Sequence, residues 1–116
     1  MAEIRDFTAT PSDLELLEFF ESEPVEVVPE DGYWCYEFAD GYNVGVRLSC
    51  NVLEKSVQTV LLVNGDEIET VVYEGAEELT ILEHELHARF DLGSDSRLVV
   101  QLKPRVTIRW SSLRKS

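Results

Sequence analysis

Few residues in this chain could do chemistry by themselves. His84-Glu85-Leu86-His87 sets two imidazoles around a carboxylate, which are the ingredients of a zinc-hydrolase helix. That chemistry needs histidines four apart on one helical face, with the glutamate beside the first as base. Here they are three apart in a stretch that alternates like a strand, which sends them to opposite faces. No third ligand stands near them in sequence. Cys35 and Cys50 lack a histidine at the spacing of a nucleophile pair, and neither opens a helix that would lower its pKa. The glycines are dispersed over turns and strand ends instead of gathering into a phosphate loop, and Gly45 within a strand pattern marks a bulge or a close contact. Glu67/Glu69 and Glu83/Glu85 each alternate onto one strand face, the pattern of a solvated surface, whereas two-carboxylate glycoside chemistry needs a pair facing across a cleft. The inventory predicts a non-enzymatic chain with no catalytic residue, no cofactor and no metal.

The charges are sorted along the sequence. All 23 Asp and Glu lie in residues 1–96, beside only Arg5, Arg47, Lys55 and Arg89, so that stretch carries −19. Residues 97–116 hold six Lys/Arg and no acid, which brings the chain to −13. Such a balance repels phosphate backbones and anionic membrane surfaces, so neither nucleic acid nor a membrane is an expected partner. Two cysteines are too few for a secreted disulfide framework, the opening Met-Ala-Glu-Ile-Arg-Asp lacks the apolar core of a signal peptide, and no apolar run approaches a membrane span. A cytoplasmic protein is expected. With 116 residues, 44% of them apolar, residues 1–116 are expected to form one domain around a sizeable core.

The positioning elements follow from periodicity. Thr10-Pro11-Ser12-Asp13 starts a helix, with Thr10 as cap and Pro11 in the first turn. Leu14, Leu16, Leu17, Phe19 and Phe20 gather on one broad side of it, Glu15 and Glu18 point away, and Pro24 ends it. Strands follow. Trp34, Tyr36 and Phe38 alternate, as do Tyr42, Val44, Val46 and Leu48, and a loop of Ala39-Asp40-Gly41 pairs Phe38 with Tyr42 on one apolar face. Asn64-Gly65 is the preferred pair for a type I′ turn and sets Leu61 opposite Ile68 and Val57 opposite Val72. Further strands fall near 79–83, 86–92, 97–103 and 105–110. The expected fold class is α+β: an N-terminal helix packed on a curved antiparallel β-meander of about seven or eight strands, half-barrel or sandwich-like.

On that frame the acids Glu15, Glu18, Glu21, Glu23, Glu26, Glu30 and Asp31 run along the exposed side of the helix and into the approach to the first strand. They are either a solvated face or an anionic docking surface for a basic cleft. Tyr33, on the polar side of its strand and ringed by carboxylates, is the natural anchor of the second reading. The candidate partner-binding residues are Glu15, Glu18, Glu23, Glu26, Glu30, Asp31, Tyr33 and Asp40. Lys103, Arg105, Arg109 and Arg89 are expected to pair with acids of neighbouring strands.

Trp34 to Tyr42, then Val46-Arg47-Leu48-Ser49, then Ser56 to Leu61 with the Asn64-Gly65 turn, resemble the small acidic immunity proteins of bacterial polymorphic-toxin systems, including the contact-dependent inhibition type. The resemblance covers about half of the chain and lies in short strands, a Gly-containing hairpin and high acidity. It implies a cytosolic inhibitor that binds one cognate toxin domain, often a nuclease with a basic cleft, and it transfers no residue role. The alternative is a structural or adaptor domain whose acidity serves solubility. Oligomeric state is not encoded in any pattern here.

Overall fold

The computed structural model describes residues 10–91 and 95–112. Helix α1 spans Asp13–Phe20. Its cap is Ser12 and not Thr10: the Ser12 hydroxyl accepts from the Glu15 N–H at 3.1 Å while the Glu15 carboxylate accepts from the Ser12 N–H at 2.8 Å. This reciprocal box satisfies two otherwise orphaned donors. Glu21 closes the helix in a left-handed conformation, its N–H bonded to the Leu17 carbonyl. Leu16, Phe19 and Phe20 are buried, Leu17 is half-buried, and Leu14 is exposed, so the apolar side is narrower than its leucine content predicts.

Among the described residues nine strands follow in chain order: β1 (Glu26–Val28), β2 (Tyr33–Ala39), β3 (Val44–Asn51), β4 (Ser56–Val63), β5 (Asp66–Glu74), β6 (Ala76–Leu82), β7 (Glu85–Asp91), β8 (Asp95–Gln101) and β9 (Thr107–Ser112). Each pairs antiparallel with its sequence neighbour, giving a five-stranded sheet β1–β5 and a four-stranded sheet β6–β9. The expected meander is there, divided in two. The break falls at Gly75, whose φ of +84° lets the chain leave one sheet and enter the other within a single residue. Its N–H and that of Ala76 both donate to the Lys55 carbonyl.

The sandwich core draws on all three layers. Phe20 stacks on Tyr36 at 4.8 Å between ring centroids, and Leu16, Val46, Leu48, Val57, Leu86, Phe90, Leu98 and Val100 fill the space between the sheets. Strand β1 has no counterpart in the sequence reading, because three residues between Pro24 and Pro29 are too short to show a period.

Two registers differ from expectation. Phe38 pairs with Val46 and Tyr36 with Leu48, four residues further on than the three-residue loop predicts, so Tyr42 lies in the loop between β2 and β3 and is exposed. The even spacing of that shift keeps Trp34, Tyr36 and Phe38 on the same apolar face as Val46 and Leu48. Asn43, not Gly41, takes the left-handed position. At the Asn64-Gly65 turn both residues have positive φ, as a type I′ turn requires, and Val63 pairs with Asp66. A bulge then slips the register between Leu61 and Leu62, so Val57 meets Tyr73 instead of Val72. Tyr73 turns inward, and Ile68 and Val72 are left exposed. Gly45 is a close-contact position: a Cβ there would lie 3.0 Å from the Phe38 carbonyl oxygen.

Candidate protein-docking surface

The sequence sorting of charge becomes a spatial one. Among the described residues, α1 and the five-stranded sheet with their loops hold 15 acids against Arg47 and Lys55. The four-stranded half holds six acids against Arg89, Arg97, Lys103, Arg105 and Arg109 and is nearly neutral. The expected pairing with strand acids holds for Arg89 and Arg109, whereas Lys103 finds its acid on the helix cap and Arg105 meets a tyrosine ring. Arg89 bonds Glu78 at 3.1 Å, Arg109 approaches Glu85 at 3.6 Å, Lys103 pairs with Glu21 of the helix cap, and the Arg105 guanidinium lies 4.6 Å from the centroid of the Tyr42 ring. Excess negative potential therefore belongs to one half of the sandwich, which is the half that would draw a cationic partner.

The eight candidate residues do not form one patch. Glu26, Glu30 and Asp31 are exposed together along β1 and the 3-10 turn Pro29–Asp31 that follows it, beside exposed Val25 and Val27. Glu23 is exposed on the approach to β1. Glu15 and Glu18 lie on the helix, where they flank a cleft of about 260 Å³ shared with Glu21, Glu83, His84 and Lys103. Glu15 also serves the cap. Tyr33 is half-buried on the sheet face turned from the core, its hydroxyl neighboured by Ser49 and Cys35; burial first, then the Cys35 thiol, raise its pKa.

Asp40 has a different task. One carboxylate oxygen accepts from the N–H groups of Tyr42 at 2.7 Å and Val44 at 3.1 Å, and the other accepts from Val106 N–H at 2.9 Å. It holds the β2–β3 loop in shape and ties it to the segment leading into β9, across the two sheets. Burial alone would raise its pKa, but the donors of Val106, Tyr42 and Val44, with the charge of Arg105, outweigh that and hold it below the usual carboxylate value.

The remaining chemistry-bearing groups sit as follows. His84 is in the turn between β6 and β7, outside the strand, and His87 on β7 meets the Glu85 carboxylate at 2.9 Å. Among the described residues no group of three or more His, Cys, Asp or Glu could hold a metal ion. Cys35 and Cys50 are both free and buried on opposite faces of β2–β3, Cys50 within the core, where burial pushes its thiol up to about 12. Glu67 and Glu69, expected on one face, are separated by the bulge: Glu67 pairs opposite Leu62 and meets Arg47 at 3.0 Å, while Glu69 pairs opposite inward-facing Leu61.

Sequence reasoning missed the β5 side altogether. That strand is exposed over most of its length, and next to it inward-facing Trp110 remains 45% exposed. The acids Asp66, Glu67, Glu69 and Glu74 on a strand lacking cations were the available signal. No helix among the described residues is long and apolar enough to cross a membrane.

No protein-family model matches the sequence, and no curated protein sequence matches it. Among solved structures, the chain is similar to one chain of a contact-dependent growth inhibition toxin–immunity protein complex from Klebsiella pneumoniae 342, with a TM-score of 0.81 at 22% identity, over 95% of this chain and 100% of that one. The helix-capped pair of antiparallel sheets is thus a fold that also occurs in a contact-dependent growth inhibition complex.

Proposed function

We propose that this chain is a cytoplasmic immunity protein that binds and neutralises one cognate toxin domain without catalysis. The observation that carries the reading is the end-to-end fold match to a chain of a toxin–immunity complex. Two further features support the inhibitor role within such a pair. The excess negative charge sits on α1 and the five-stranded sheet, which complements a basic toxin cleft, and the sequence style of residues 34–61 is that of acidic immunity proteins. Glu26, Glu30 and Asp31 on the exposed β1 edge are the steering residues in this reading, with Glu18 and Glu23 alongside. Glu15 and Asp40 act first in the fold. The partner expected is a basic toxin domain encoded beside this chain.

The test is to co-express the chain with that domain and measure association by stopped flow across salt. Steering over long range fades as the Debye length falls from about 30 Å at 0.01 M to about 8 Å at 0.15 M. Association is expected to slow steeply over that range, and Glu26, Glu30 and Asp31→Lys should lower the on-rate with the fold intact. An on-rate indifferent to salt and to the triple reversal removes the acidic surface from the mechanism. Failure to bind the neighbouring domain favours the adaptor alternative, in which acidity serves solubility.

A further inference from the structure

Strand β5 is a free edge nine residues long, and among the described residues no strand pairs with its outer side. The opposite edge of the same sheet is blunted, since β1 has three residues and runs straight into a 3-10 turn. A long edge offers a row of unpaired N–H and C=O groups, and proteins usually shorten or cover it.

Beside β5 the sandwich stands open. Ile108 and Trp110 of β9 pair with core residues Val100 and Leu98 and face inward with them. Trp110 nevertheless keeps nearly half of its surface, because a cleft of about 510 Å³ separates β9 from β5. Leu61, Glu69, Val71, Tyr73, Ile108 and Trp110 line it. Its floor is aromatic: the Trp110 ring lies 5.1 Å from Tyr73 and 5.3 Å from Phe90.

Charge selects the occupant. Strand β5 carries Asp66, Glu67, Glu69 and Glu74 and no cation, and among the described residues only Glu67 of the four has an ion-pair partner, Arg47. A second copy of this chain laid against β5 would set carboxylates opposite carboxylates, which destabilises a sheet pair. A strand bearing Lys or Arg meets no such barrier.

We propose that the seam between β5 and β9 takes an extended segment of a partner protein, basic on one face and apolar on the other, which lengthens the five-stranded sheet by one strand. Main-chain bonds to β5 hold the segment, alternate apolar side chains enter the cleft against Tyr73 and Trp110, and its cations lie among the β5 carboxylates. The partner is the toxin domain, so the inference rests on the immunity reading and locates its contact.

The experiment follows amide hydrogen exchange by NMR in the free chain and in its complex with the toxin domain encoded beside it. In the free chain, alternate β5 amides should exchange fast. In the complex those amides should slow by about tenfold or more, and Trp110→Ala should raise the off-rate by about tenfold, as loss of a buried aromatic anchor does. Glu69→Lys, on an exposed residue that the fold does not need, should weaken the complex in the same direction and serves if Trp110→Ala fails to fold. A complex that forms with β5 amides still exchanging fast overturns the seam and leaves the inhibitor reading standing. Protection of every β5 amide in the free chain shows the edge already covered and overturns the seam as well. No complex at all overturns both.

Discussion

Replacing Asp40 tests how the two halves of the sandwich are joined. Its carboxylate accepts three backbone N–H bonds, and two of them, from Val44 and Val106, are partly buried. A hydrogen bond to a charged group contributes about 1.5–3 kcal/mol, and the exposed bond from Tyr42 can be replaced by water. Taking the lower figure for the two shielded bonds, Asp40→Ala should cost about 3 kcal/mol. At about 4 °C per kcal/mol for a domain near this size, the melting temperature should fall by about 12 °C. Asp40→Asn is the sharper probe. Its amide oxygen still serves Tyr42 and Val44, but an NH2 group then faces the Val106 N–H, so about half of the loss is expected. The pH dependence has a definite sign. The folded pKa lies below the unfolded value of about 3.9, so the carboxylate's contribution is complete above that value and is lost as pH falls through the folded pKa. Urea unfolding at pH 7, 5 and 3 measures all of this, with the change expected in midpoint and not in slope. A loss below about 0.5 kcal/mol for Asp40→Ala, or a difference between wild type and Asp40→Asn that stays constant down to pH 3, would refute the clasp.

The helix supplies a second test: Phe20→Ala, which removes a ring stacked on Tyr36 inside the core, should cost about 3–5 kcal/mol in denaturant unfolding, whereas exposed Glu18→Ala should stay within about 0.5 kcal/mol. Half-buried Leu17→Ala should fall between them, and equal costs at Phe20 and Glu18 would remove the helix from the core. The thiols supply a third: both are buried, and burial raises the pKa of each, so neither should react with a disulfide reagent at pH 8 until the chain unfolds. Rapid labelling of Cys50 in the native protein would contradict its place between the sheets.

Local sequence carried the elements better than their joints. The Asn64-Gly65 turn was legible because positive φ at two successive positions demands those residue types. The apolar faces of β2 and β3 were legible because a two-residue period survives an even shift of register. The shift itself was not, since Asp40 is held by Val106, 66 residues away, and no neighbouring residue announces that bond. Ser12 and Glu15 stood in the sequence as a capping box, and Pro11 drew the reading to Thr10 instead. The bulge at Ile68 had no signal, and with it went the inward turn of Tyr73 and the split of Glu67 from Glu69. The candidate surface shared this fate. Charge sorting along the chain foretold an acidic half, but the open side of β5 depends on where β9 ends up, which is a matter of tertiary packing.

Because within each sheet every strand pairs with the one before it, the sheets close only short loops as they form. Most β-sandwiches must bring distant segments together first, and that search makes them slow to fold. Here the helix and the whole five-stranded sheet are encoded before Gly75, so an emerging chain can zip that sheet up hairpin by hairpin while the second is still being made. Long-range closure is confined to a late docking of one finished sheet on the other, with Asp40 and Val106 meeting at the end. Quick assembly from the ribosome follows directly from strand order.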